Sequence, residues 1–157
     1  MFQYAALMGL SAKHNRTFCI PPPDKFATAS FQENRSSIYD AFDIKPPLVG
    51  MSKVAPTSEA HFHFDNTLFE NPPSGEIELR GYFQSDKWFG HIEDQVRESF
   101  TFQPQYQELA QEMRDQLSGE IISLHIRRTD YVGNPNHYTM HMGYYLNALK
   151  LVPDEAK

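Results

Sequence analysis

The sequence predicts an α/β fold with a mostly parallel sheet, and three observations predict it. Apolar spacing alternates along the chain between helical and strand periods, in the order helix, strand, helix, strand, helix. Proline- and glycine-rich runs such as "NPPSG" and "GNPNH" punctuate that alternation as loops. The strand-like run "EIISLHIR" carries its flanking charge at its C-terminal end, where ligands bind in open α/β sheets.

The elements follow in order. "MFQYAALMGLSAK" reads as a helix to about Lys13, with Phe2, Ala5, Ala6, Met8 and Leu10 as its apolar positions. Nothing in front of it supplies an N-cap, so the chain is expected to be a portion of a longer protein. "HNR" is a turn, and "TFCI" is a short strand expected to bury Cys19 as a structural thiol. "PPPDK" breaks regular structure, because proline fixes φ and removes a donor. From Phe26 to about Thr57 the pattern is weak, with a helical turn at "SIYDAF" and a loop at "KPPLVG". "AHFHFD" alternates at period two, which predicts a strand with Phe62 and Phe64 inward.

"EIELRGYFQS" reads as a strand that ends at Gly81. Asp86 to Phe100 reads as one helix with Trp88, Phe89, Ile92 and Val96 on its apolar stripe. Pro104 to Leu117 is the clearest helix: Pro104 takes an N1-like position, and Tyr106, Leu109, Ala110, Met113 and Leu117 share a face. Gly119 is a C′ stop, "EIISLHIR" is a strand, and "MGYYLNALKLV" is the last helix.

Composition bounds the function. The chain has 157 residues, 12 Phe and 8 Tyr, sufficient for one ordinary domain with a core. Fourteen Lys and Arg stand against 20 Asp and Glu, which disfavours a nucleic-acid partner. A single cysteine leaves no internal disulfide and suits a reducing compartment. No apolar run approaches the length of a membrane span.

The charged residues that close the last strand raise the functional question. Arginine suits phosphate, because its planar fork donates two parallel hydrogen bonds and keeps its charge on burial. Adjacent residues on a strand face opposite ways, so one of Arg127 and Arg128 can meet an anion while the other pairs with Asp130. A plain strand-end salt bridge uses the same residues.

Taken further, "HIRRTDYV" resembles the H-x-R-R-x-D motif of fucosyltransferases that use GDP-fucose. "MFQYAAL", "LRGYFQSDKWF" and "HMGYYLNALKLV" are similar, in order, to segments of one branch, the α-1,2-fucosyltransferases of glycosyltransferase family 11. The resemblance runs from Met1 to about Val152 and is thin between Pro21 and Asn71. It implies a GT-B type fold of two Rossmann-like, parallel-sheet halves. An N-terminal α/β unit would span residues 1–118, and a donor-binding unit would begin at 119–157 and be incomplete. It implies an inverting transfer of fucose from GDP-fucose to the 2-hydroxyl of a galactose-terminated glycan, with no cofactor and no metal. Arginine would then stabilise the charge that builds on the β-phosphate.

By position, Arg127 would bind the donor phosphate, Arg128 would assist, and His125 and Tyr131 would help shape the donor site. Asp130 would orient an arginine rather than act as the base. Tyr82 and Gln84 would support the substrate cleft, with Phe83 and Phe89 in the core. Thr129 stands where the family most often has Gly, and the family's "LGNQ" lead does not precede Met1. The expected location is the cytoplasm or a peripheral membrane position in a bacterial or viral source, and the Golgi lumen in a eukaryotic one.

Three rivals stand beside this. Another sugar nucleotide would bind the same cation pair. The frame could be truncated and inactive. His61, His63 and Asp65 resemble the H-x-H-x-D start of metallo-β-lactamase-type hydrolases, although Asn66 replaces that family's next histidine. "HYTMH" has histidines at i and i+4 but lacks the glutamate of a zinc-protease helix, and reads as loop.

Overall fold

The computed structural model describes residues 1–22 and 38–153. Part of "PPPDK" and the weakly patterned stretch from Phe26 to Ser37 lie outside the described residues. The chain divides into two compact units, Met1–Gln107 and Glu108–Lys157.

The first unit is α/β. Its helix α1, Phe2–Lys13, forms as its spacing predicts. Two-residue strands β1 (Cys19–Ile20) and β2 (Leu48–Val49) pair in parallel, with Cys19 opposite Leu48. Strands β3 (Pro56–Ser58) and β4 (Glu78–Arg80) also pair in parallel, with Thr57 opposite Leu79. Parallel strands need a crossover, and helices supply it. Helix α2, Ile38–Ala41, lies between β1 and β2 in the chain, and α3, Asn66–Glu70, lies between β3 and β4. The parallel direction matches the expectation. The sheet does not: among the described residues it is two small pairs rather than one continuous sheet.

Helix α1 serves two clusters. Ala6 and Leu10, one turn apart, pack with Leu68, Phe69, Phe83 and Trp88. Tyr4 packs with Ile20, Phe42 and Ile44. Trp88 is fully buried, and the rings of Phe64, Phe69 and Phe83 meet it edge-on at centroid distances of 4.9, 5.6 and 5.2 Å. Gly9 makes this approach possible: a Cβ there would lie 2.0 Å from the Trp88 carbonyl oxygen. The Lys13 ammonium holds Glu70 at 3.0 Å, and His14 Nε2 bonds the Phe69 carbonyl at 2.8 Å, which fastens α1 to α3.

Several expectations change. Cys19 is exposed, because the two-residue strand turns Ile20 rather than Cys19 inward. "KPPLVG" holds β2 instead of a loop. "AHFHFD" is irregular: Phe62 is 73% exposed, and only Phe64 packs on the core. Asp65 ends that run as the N-cap of α3, its Oδ1 accepting from the Leu68 amide at 2.9 Å. The single helix expected over Asp86–Phe100 is two 3₁₀ turns, Asp86–Trp88 and Gly90–Ile92, followed by α4, Glu93–Ser99. Phe89 breaks it, its φ of −139° and ψ of 3° lying outside the helical region.

Helix α5, Pro104–Asp115, forms at the expected place. Its apolar positions stay exposed, including Leu109 and Met113. Gly119 adopts φ +77°, the left-handed region that favours glycine, but the helix has already ended at Asp115, so Gly119 turns the following loop rather than stopping the helix at C′. The run Glu120–Arg127 makes no strand ladder among the described residues, and Ile121, Ile122, Leu124 and Ile126 are exposed. A strand satisfies its backbone groups only through a neighbouring strand, and none is paired with it here. Helix α6, Met142–Leu149, closes the second unit and buries Tyr145. No helix of the described residues is long and apolar enough to cross a membrane.

Candidate functional site

The second unit carries the arginine pair. Beyond the apolar run the backbone turns sharply, with Arg128 at φ −131°, ψ −89°, into a 3₁₀ turn at Thr129–Tyr131. That turn brings residue 130 back under residue 127. Arg127 Nε then donates to Asp130 Oδ1 at 3.1 Å, and Arg127 Nη2 donates to Oδ2 at 2.8 Å. The result is a bidentate fork, the geometry that only arginine can make with a carboxylate. The Thr129 hydroxyl donates to Asp130 Oδ1 at 2.9 Å.

Aromatic stacking holds the same guanidinium from a second side. Arg127 lies over the Tyr131 ring at 4.8 Å, and Tyr131 stacks on His137 at 4.3 Å with rings 9° from parallel. Asn134 caps the turn between them, donating from Nδ2 to the Asp130 carbonyl at 3.4 Å. Sequence reasoning missed His137, which it left as loop. No spacing rule joins residues 131 and 137; only the closed turn does.

The fork uses Nε and one Nη2 hydrogen of Arg127. The Nη1 hydrogens and the second Nη2 hydrogen remain for another acceptor. Arg128 and His125 are exposed, and among the described residues neither side chain has a hydrogen-bond or ion-pair partner. One arginine is thus oriented and its neighbour is unengaged, a cationic pair able to receive an anion.

Electrostatics follow the geometry. The Arg127 hydrogen bonds, then the Thr129 hydroxyl, lower the Asp130 carboxyl to about 2. The Asp130 carboxylate in turn raises Arg127 above its ordinary value. A carboxyl with so low a value is a poor proton acceptor near neutral pH, which leaves Asp130 as an orienting group. A depressed carboxyl stabilises the turn above the ordinary carboxylate range, and that contribution is lost as pH falls toward 2. Both partners are exposed, so the effect on global stability is small. A carboxyl-carbon NMR titration is expected to place the Asp130 midpoint near 2. In Arg127→Ala it should rise toward the ordinary carboxylate range; an ordinary midpoint in the parent protein would show the fork to be absent.

The other candidates lie in the first unit. Tyr82 and Gln84 are exposed on either side of the buried Phe83. His61 and His63 are exposed with rings 5.6 Å apart, but His61 Nδ1 lies 3.1 Å from the His63 carbonyl oxygen. Asp65 is occupied as a helix cap. Among the described residues no three His, Cys, Asp or Glu side chains are grouped to hold a metal ion. The histidine–aspartate run is a turn leading into a helix, and its period-two spacing lost its meaning with the strand.

Comparison with known families places the chain among the glycosyltransferases, enzymes that move a sugar from a sugar-nucleotide donor to a glycan acceptor. It belongs to glycosyl transferase family 11, whose model matches residues 1–154. Neither a curated protein nor a solved structure matches the chain.

Proposed function

We propose that the protein transfers fucose from GDP-fucose to the 2-hydroxyl of a galactosyl acceptor, with inversion and without a metal ion. The observation that carries this is the H-x-R-R-x-D run, in which Asp130 orients Arg127 beside an unengaged Arg128. Breaking the glycosidic bond of a nucleoside-diphosphate sugar builds negative charge on the β-phosphate. Preoriented cations stabilise that charge at no reorganisation cost during the reaction. Arg127, through its free Nη hydrogens, contacts the phosphate, Arg128 supplies the second charge, and His125 and Tyr131 border the nucleotide.

The inversion requires the acceptor hydroxyl to attack the anomeric carbon from the face opposite GDP. Its proton leaves to a group that is not Asp130, for the reason given above. In keeping with the family resemblance, the complete enzyme would have a GT-B arrangement with its donor-binding unit starting near Gly119. The proposed setting is the cytoplasm or a membrane periphery in a bacterial or viral source, and the Golgi lumen in a eukaryotic one.

A transfer assay tests this directly. GDP-fucose, GDP-mannose and UDP-galactose are offered with lactose, each with and without excess EDTA. Fucosyl-lactose formation with GDP-fucose alone, undiminished by EDTA, is the expected result. Transfer from another donor would redirect the sugar assignment, and loss of activity in EDTA would end the metal-independent mechanism.

A further inference from the structure

The first unit contains a concavity of about 640 Å³ that the arginine pair does not explain. It falls within the range of small-ligand sites. Phe62, His63, Phe64, Asn66, Gln84 and Lys87 line it. Phe62 is 73% exposed at its edge, and Tyr82, 60% exposed, extends that aromatic edge with its ring 5.7 Å away. An exposed aromatic edge beside a concavity is a feature of many ligand-binding surfaces. Among the described residues the Asn66 and Gln84 amides have no side-chain hydrogen-bond partner.

This display is built. Phe83 adopts φ +52°, a conformation that phenylalanine rarely takes. Two restraints hold it there. Its ring is buried against Trp88, and the Glu59 carboxylate accepts from the Tyr82 amide at 2.8 Å and the Phe83 amide at 3.1 Å. Gly81 lets Glu59 come this close, since a Cβ would sit 2.5 Å from the Glu59 Cβ. The strained turn anchors Phe83 and presents Tyr82 and Gln84 outward on either side. Backbone strain of this kind clusters at active sites and ligand clamps.

We infer that this concavity binds the terminal sugar of the glycan acceptor. Phe62 and Tyr82 lie against the apolar C–H face of the ring. Gln84 and Asn66 each offer a donor and an acceptor to adjacent hydroxyls, and His63 and Lys87 add donors at the rim. A galactopyranose presents this combination: its axial 4-hydroxyl leaves an apolar C–H patch on one face, and its hydroxyls are arrayed around the ring edge. Glu59 is a positioning residue that acts through the turn. The inference rests on the glycosyltransferase reading.

The test is saturation-transfer NMR on the full chain with lactose as the probe, followed by lactose titrations at saturating GDP-fucose. Lactose is expected to bind through its galactose ring protons. Phe62→Ala and Gln84→Ala, both at exposed positions, should each weaken binding about tenfold and raise the lactose KM with kcat retained. Arg127→Ala should leave lactose binding intact. Equal lactose binding by the parent and Phe62→Ala would overturn the inference. So would GDP-fucose turnover with lactose untouched by either substitution, leaving the transferase reading in place. Displacement of lactose by GDP would assign the concavity to the nucleotide instead. Lactose bound through Phe62 without any transfer from GDP-fucose would keep the sugar site and count against fucosyl transfer by this chain.

Discussion

Under the proposed donor assignment, replacing Arg127 by alanine is expected to lower fucosyl transfer by about 100- to 1,000-fold, the cost of removing one preorganised group that stabilises transition-state charge. The effect should fall on kcat more than on the KM for lactose, because charge on the β-phosphate develops only as the bond breaks. Stability should change little. Arg127 is half exposed, and its pair with Asp130 is a surface pair. Arg127→Lys should recover little of the loss: an ammonium keeps the charge but has no fork for Asp130 and no plane to lie on Tyr131. Asp130→Asn separates orientation from charge. An amide can hold one guanidinium hydrogen, so the loss should be smaller than for Arg127→Ala, with no change in the pH profile. A variant lacking Arg127 that retains most of its transfer would remove this side chain from the donor site. Loss of the pH-dependent limb in Asp130→Asn would make Asp130 the base after all.

What could be read in advance depended on element length. Helices α1 and α5 declare themselves because 12 residues each give more than three turns of periodicity. Strands of two or three residues carry little alternation: β1 and β4 fall inside the predicted strands "TFCI" and "EIELRGYFQS", but the other two give no such signal. Thus β2 hid inside "KPPLVG", where the prolines argued loop, and β3 begins at a proline. The "AHFHFD" error has a clearer cause. Period-two alternation predicts a strand, but Asp65 just ahead of "NTLFE" is an N-cap signal, and the helix it starts prevails. In Asp86–Phe100 the apolar stripe was real but Phe89 and Gly90 interrupt the backbone under it.

The pairing of Arg127 with Asp130 was legible for a chemical reason. Arg127 and Asp130 are near in sequence, so a single tight turn suffices to join them, and opposite charges favour that turn. The reach of Asp130 to the Thr129 hydroxyl is equally local. Contacts set by distant residues were not legible: Glu59 binds the amides at 82 and 83 from more than 20 positions away. The apolar faces of α5 and of residues 121–126 show the opposite limit. Periodicity identifies which side of an element is apolar, but not whether another element covers it.

Trp88→Ala is the substitution expected to cost most stability, about 3–5 kcal/mol for an aromatic residue removed from a packed interior. Trp88 has no exposed surface and joins the three rings of Phe64, Phe69 and Phe83 to α1. The backbone around it leaves little room to collapse into the vacancy, because the Trp88 carbonyl already lies against Gly9 and His91 Nε2 lies 3.1 Å from the Gly9 carbonyl oxygen. A melting temperature lower by at least about 12 °C follows for a unit of this size, read by far-ultraviolet circular dichroism. Phenylalanine at the same position should behave differently. Among the described residues the buried Trp88 Nε1 has no hydrogen-bond acceptor, and an orphan buried donor costs about 1–3 kcal/mol. Trp88→Phe keeps ring contacts and removes that donor, so the smaller cavity is partly offset and the loss should be well under that of alanine. If the two variants melted together, ring packing would not be what Trp88 contributes. Its effect on activity should follow the same order, because Phe83, packed on Trp88, anchors the turn that displays Tyr82 and Gln84. A rise in the lactose KM in Trp88→Phe, with kcat kept, would tie the core to the sugar-binding edge.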